Sequence, residues 1–297
     1  MDGVRAKKLG LALGSGGARG SAHVGVLRVL EEDGIRPDVI AGTSMGAEVG
    51  GAYAAGVGVD ELERLWRTLH FGRVARTLLP TLPWSGWSSG GEVVRFVRRL
   101  VGNVQIEDLA IPYAAVSTDL SSGLPYAITR GPLAQAIRAS LSVPGLFTPV
   151  WIDGRLLVDG GVSNPVPVDV ARDLGADLVI GVDVLVRPEE VRLSGIPVPD
   201  WCDRTLGLVG GPENPALAID RTRRFYPNVF AVLFQMSTVF QKRVGDLSLT
   251  VHPPDVLIQP DFSPNPPCYS DVRSGIEAGE EAARRALPRI RELLRAP

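Results

Sequence analysis

An α/β fold, with a mostly parallel sheet covered by helices, is what the sequence predicts from three observations. In the first half, short β-branched runs alternate with stretches whose apolar residues recur at helical spacing. A glycine-rich turn at 14–20 follows the first apolar run, and a second turn of small residues at 42–46 follows the next. No internal repeat breaks this order.

Taken along the chain, Leu9 to Leu13 reads as the first strand. After the glycine turn, His23, Val26, Leu27 and Leu30 share one face of a helix that Gly34 stops. Val39 to Ala41 is the second strand, and "GTSMGAEVGGAYAAG" turns back into a helix of small residues able to pack closely on the sheet. Residues 59–70 form an amphipathic helix. The stretch 78–91 is a loop holding Trp84 and Trp87, readable as a lid or as a surface excursion pinned by two tryptophans. Strands resume at "YAAVSTD" and "PYAIT", and a helix follows over Pro132 to Ala139. "VWIDGRLLV" is a hairpin, since Asp153-Gly154 between alternating runs suits a type I′ turn. "VPVDVARDLG" is a helix, "ADLVIGVDV" a buried strand, 185–215 irregular, and 216–246 helical and apolar. "DVLIQPDF" is a late edge strand, and 271–294 a closing amphipathic helix. The domain expectation is a core over 8–184, an insertion or cap over 185–250, and a final strand and helix over 251–297 completing the core.

Composition narrows the function classes. The chain has 297 residues, 45% of them hydrophobic, which suffices for one main domain with insertions. Its 31 Lys and Arg against 33 Asp and Glu give a net charge of -2, so nothing in the balance calls for nucleic acid or an anionic surface. Two cysteines, Cys202 and Cys268, show no C-x-x-C spacing, and a reducing, cytoplasmic setting is the simpler expectation. "LGLALGSGGARG" is interrupted by glycine and Arg19 too early for an export signal. No apolar run reaches the roughly 20 residues of a membrane-spanning helix.

"GTSMG" fits G-x-S-x-G, in which a sharp strand-to-helix turn holds the serine at the end of the sheet. Gly42 and Gly46 leave room for that elbow, and the helix N-terminus favours negative charge developing near Ser44. The plain alternative is a helix N-cap serine. The turn "GSGGARG" belongs beside it on the same sheet edge, where the N–H groups of Gly16 and Gly17 would point at a reacting carbonyl oxygen. A dinucleotide fingerprint fits less well. Arg19 stands where its last glycine belongs, and no acidic residue follows to hold a ribose.

A serine nucleophile needs a base. His23 lies on the apolar face of the first helix, His70 at the end of an amphipathic helix, and His252 before the last strand rather than on a loop after one. Asp159 in "LLVDGGVSNPVP" ends a strand, and Gly160 and Gly161 follow it at a tight turn. Local chemistry alone leaves Asp159 open between base and ordinary Asx turn.

"LALGSGGARGSAHVGVL", "GTSMGA", "SLSVPGLFTPV" and "VDGGVSNPVP", in that order over residues 8–183, resemble the patatin-like phospholipases, in their bacterial branch. The resemblance implies a three-layer α/β/α fold and hydrolysis of lipid acyl esters by a Ser–Asp dyad, without metal or organic cofactor. It places the nucleophile at Ser44, the base at Asp159, and the oxyanion loop at Ser15, Gly16, Gly17 and Arg19. Ser15 departs from the family's usual G-G-G-x-R-G, replacing the first of its three glycines. Arg19 is expected to brace the loop, and "SVPGLFTP" with Asn164 and Pro165 to shape the turns around the dyad.

The expected partner is a lipid ester; oligomeric state has no readable signal. "FYPNVFAVLFQMSTVFQKRV", flanked by Arg221, Arg223, Arg224, Lys242 and Arg243, is either a buried helix or a peripheral membrane contact. Two other functions stay open: an α/β-hydrolase-type esterase or thioesterase with a histidine base, and a regulatory or binding protein with little turnover.

Overall fold

A computed structural model of the chain describes residues 7–68, 86, 88–190, 195–197, 225–227, 229–263 and 272–295. His70, Trp84, Trp87, Cys202, Arg221, Arg223, Arg224 and Cys268 lie outside the described residues.

The chain forms two compact units, one of residues 1–185 with 241–297 and the other of 186–240. The first is built on a sheet of β1 (Leu9–Leu13), β2 (Val39–Thr43), β3 (Tyr113–Asp119), β4 (Pro125–Ile128), β5 (Val150–Ile152), β6 (Arg155–Asp159), β7 (Leu178–Val182) and β10 (Val256–Ile258). The order is β10-β7-β1-β2-β3-β6-β5, with β4 also on β3. From β10 to β3 the strands are parallel; β4 and β6 run antiparallel to β3, and β5 antiparallel to β6.

Alternation along the strands divides the core in two. Leu11, Leu13, Ile40 and Tyr113 face a large cluster formed with α1 (Ser21–Glu32), α2 (Met45–Ala54), α3 (Val59–Thr68), α4 (Gly91–Val101), α5 (Leu133–Ser140) and α8 (Arg273–Arg295). Ala12, Ala41 and Ala114 face the other way, onto Val168, Val170 and Ala171 of α6 (Val168–Asp173) and onto Leu249. Helices thus cover both faces, which is the three-layer α/β/α architecture. The inner parallel strands β1, β2 and β3 are buried on both sides, so they read as continuous apolar runs.

Two features differ from the sequence expectation. Of the helix expected over 216–246, residues 216–224 and 228 lie outside the described residues, 225–227 form a short strand, β9 (Phe225–Pro227), paired with β8 (Gly195–Pro197), and the rest belongs to α7 (Val229–Val251). Pro253 and Pro254 follow the last turn of α7, where a residue without an N–H cannot continue a helix. Helix α4 was not anticipated, because valines in "GEVVRFVRRLV" weaken its helical propensity. Val97 is nonetheless buried while Arg95, Arg98 and Arg99 face water, as an amphipathic helix requires.

Candidate active site

β2 and β6 meet end to end along β3. Ile40–Thr43 pairs with Tyr113–Val116, and Leu157–Asp159 pairs with the next residues, Ser117–Asp119. Since β4 occupies the opposite edge over Ala115–Thr118, β2 and β6 share one edge and point their C-termini at each other. The residue after β2 is Ser44, and the last residue of β6 is Asp159.

At that junction the Ser44 hydroxyl donates to Asp159 Oδ2 at 2.7 Å. Asp159 Oδ1 accepts the Gly161 N–H, also at 2.7 Å, so both carboxylate oxygens are engaged. Ser44 sits at φ 55°, ψ -118°, a left-handed conformation that L residues seldom adopt, and this strain lifts its side chain off the strand axis. The elbow is crowded. A Cβ at Gly46 would lie 2.1 Å from the Leu13 carbonyl oxygen, and one at Gly160 would lie 2.1 Å from that of Val116. Gly42 is similarly pressed against the backbone of Gly46.

Both members of the pair are buried, Ser44 to 4% and Asp159 to 1% exposure. Burial pushes the Asp159 carboxyl up to about 6, against the opposing pull of the Ser44 and Gly161 hydrogen bonds. A carboxyl poised there is a far better proton acceptor than an exposed one, yet still ionised at neutral pH.

The glycine turn runs alongside. The Gly14 N–H donates to Val182 O and the Ser15 N–H to Pro165 O, fixing the turn between β7 and the base segment. Among the described residues, no acceptor takes the N–H of Gly16 or Gly17. The Ser15 hydroxyl sits beside Gly161, whereas a Cβ at Gly16 would meet Val184 O at 2.6 Å. Arg19 is buried, donates to Leu185 O at 3.1 Å and stacks its guanidinium 4.8 Å from the Phe262 ring centre. Asn164 joins the frame too: its backbone carbonyl accepts the Thr43 hydroxyl and its side-chain Nδ2 donates to Asp169 Oδ1.

The two described histidines stand elsewhere. His23 is fully buried with Nε2 2.8 Å from Gly14 O, and desolvation lowers it to about 4. Its other nitrogen, Nδ1, has no partner, so this imidazole is only half satisfied. His252 is exposed just past the end of α7. Among the described residues, no group of three or more His, Cys, Asp or Glu side chains is placed to hold a metal ion.

A narrow apolar cleft, with free space of only about 10 Å³, lies between α2, α3 and α4, lined by Leu62, Leu65, Trp66, Phe96 and Leu100. Glu48, one helical turn beyond Ser44, is on its wall, and burial raises that carboxyl to about 7. Sequence reasoning missed the cleft, because α4 supplies one side of it.

Fold and site together define a three-layer α/β protein with a buried serine–carboxylate pair at the end of a parallel sheet. The family profile described as patatin-like phospholipase matches residues 11–172, more than half of the sequence, and the chain belongs to that family. It is 45% identical over 184 residues to an uncharacterized NTE family protein of Mycobacterium tuberculosis, a match covering 62% of this chain and 51% of that protein. It is 37% identical over 199 residues to human patatin-like phospholipase domain-containing protein 6, covering 65% of this chain and 14% of that one. The chain thus spans about half the length of its mycobacterial relatives, which agree with the bacterial branch of the family. A crystal structure of VipD from Legionella pneumophila aligns over 95% of this chain and 67% of its own, with 13% identity and a TM-score of 0.46.

Proposed function

We propose that this chain is a serine acyl hydrolase that cleaves lipid carboxylic esters through a Ser44–Asp159 dyad and an acyl-enzyme intermediate. The observation that carries the reading is the 2.7 Å hydrogen bond from the Ser44 hydroxyl to a buried carboxylate, made at a strained elbow. Asp159 takes the hydroxyl proton as Ser44 Oγ attacks the ester carbonyl. Gly16 and Gly17 offer their N–H groups to the oxyanion. Collapse of the tetrahedral intermediate expels the alcohol, which receives the proton from Asp159. Water then attacks the acyl-serine, with Asp159 as base again, and the fatty acid leaves. Membership of the family supports a lipid substrate.

A fluorophosphonate probe should label Ser44, with labelling lost in Ser44→Ala. Asp159→Asn should abolish turnover of p-nitrophenyl esters while His252→Ala retains it. Death of the histidine variant with survival of the aspartate variant would replace the dyad by a histidine-dependent esterase. Absence of turnover on any p-nitrophenyl ester or lysophospholipid would favour a binding role.

Peripheral lipid contact through α7 is supported by its exposed Leu233, Met236 and Phe240. The side chains of Phe230 and Phe234 lie outside the described residues. Among the described residues, no helix is long and apolar enough to cross a membrane. Liposome flotation that is unchanged by Leu233→Asp with Phe240→Asp would exclude this contact.

A further inference from the structure

Three strands and two turns must agree for Ser44 to meet Asp159, and the end of α5 with the residues just after it touches the backbone of both. The Ser140 hydroxyl accepts the N–H of Ser44 at 2.8 Å and donates to Val116 O at 2.5 Å. Two residues on, the Ser142 carbonyl accepts the N–H of Asp159 at 2.9 Å. Ser140 and Ser142 are both fully buried. The nucleophile and the base are thus held by two groups that one leucine separates.

Arg138 anchors this segment from below. Its guanidinium donates to the Ser142 hydroxyl at 2.5 Å, to Ser89 O at 2.8 Å and to Thr148 O at 2.8 Å, and it stacks 5.1 Å from the Phe147 ring centre. It is 3% exposed, and among the described residues no carboxylate pairs with it. A buried cation satisfied by carbonyls and hydroxyls is costly to hold, and here it ties the loops on both sides of Ser142 to one point. Fixing the segment's geometry is a use that fits this expense.

We infer that Ser140 is a positioning residue: with the Ser142 carbonyl, and braced by Arg138, its hydroxyl sets the separation of Ser44 and Asp159 and holds the strained elbow in reacting geometry. The inference rests on the acyl-hydrolase reading for its kinetic consequence, but its structural content does not. The Ser44 N–H is taken by the Ser140 hydroxyl, so the strained elbow is tied by a side-chain hydrogen bond to the end of α5. The same hydroxyl fastens that N–H to β3, on which Asp159 is also registered through Ser117.

The test compares wild type with Ser140→Ala by two measurements. Carboxyl NMR titration of Asp159 should move upward in the variant, because a loosened Ser44 hydroxyl no longer favours the ionised form. With p-nitrophenyl butyrate, kcat should fall by about 10- to 100-fold at a KM within about twofold, the signature of reacting groups misplaced by under an ångström. A rate loss with an unmoved Asp159 titration would make Ser140 a merely structural residue and overturn the inference, as would an unchanged rate. Should Ser140→Ala not fold, Ser140→Cys keeps the volume but has a thiol too long and too weak a donor for these bonds, and the same two shifts are expected. A wild type without turnover whose Asp159 titration still moves on substitution would retain Ser140's positioning role and sink only the acyl-hydrolase reading.

Discussion

Replacing Asp159 with asparagine should trade turnover for stability, with a pH dependence that follows from the site. The carboxyl titrates at about 6 in the folded chain against 3.8 when exposed, a consequence of burial that its two hydrogen bonds offset only in part. The folded state therefore holds a proton over a range in which the unfolded state has lost it. The resulting destabilisation is absent below the unfolded value, grows between the two and is complete above about 6. Its size at pH 8 is about 3 kcal/mol at most, from a shift of roughly two units at 1.36 kcal/mol each. Asparagine retains an oxygen to accept the Gly161 N–H and an amide group within reach of Ser44, so the local hydrogen bonds survive while the buried charge is gone. Asp159→Asn should then be more stable than wild type by about 1–3 kcal/mol at pH 8 and nearly equal to it at pH 4. Urea unfolding at the two pH values, read by far-ultraviolet circular dichroism, measures both differences. An equal gain at both pH values, or none at pH 8, would show that the ionised carboxylate is not strained by burial, and the argument that its environment makes it a base would fail.

Other consequences can be checked with the same material. On the proposed mechanism, kcat/KM of ester hydrolysis should rise through a single ionisation near 6 and stay level above it, since the proposed base is ionised Asp159; a limb near 4 would deny that burial tunes it. Ser44→Gly should be more stable than Ser44→Ala by about 1 kcal/mol in urea unfolding, because glycine relieves the left-handed strain that alanine retains. Gly46→Ala should lose about 3 kcal/mol, its Cβ being forced against the Leu13 carbonyl, whereas Gly58→Ala, which meets nothing within 4 Å, should be silent. Equal midpoints for the two glycine variants would contradict the close approach of α2 to β1.

Much of the fold was legible because its signals are local. Buried parallel strands appear as apolar runs, glycines mark the turns, and Asp153-Gly154 makes its hairpin with both residues at positive φ, as the type I′ turn demands. Where signals were mixed, the reading slipped. Valine-rich α4 is not evident in the sequence, and nothing in the apolar run around residue 230 signals the short strand Phe225–Pro227 that precedes α7. The position of His23 on an apolar helix face foretells its burial, but not that only one of its nitrogens finds a partner.

The candidate site divides the same way. Sequence by itself determined the elbow: Gly42 and Gly46 flank Ser44 because the chain must turn within van der Waals contact of β1, and that need is written in five consecutive residues. It also marked Asp159 as the end of a strand before two glycines, but not as a base. The role proposed for it requires meeting Ser44 across 115 residues, and the meeting depends on β6 running antiparallel to β3 and butting against β2. Only the tertiary structure brings the two side chains together, along with the desolvation that lifts the carboxyl to about 6 and the grip of Ser140 and Ser142 on the two backbones. Burial and registry are properties of the whole sheet, and no window of sequence contains them.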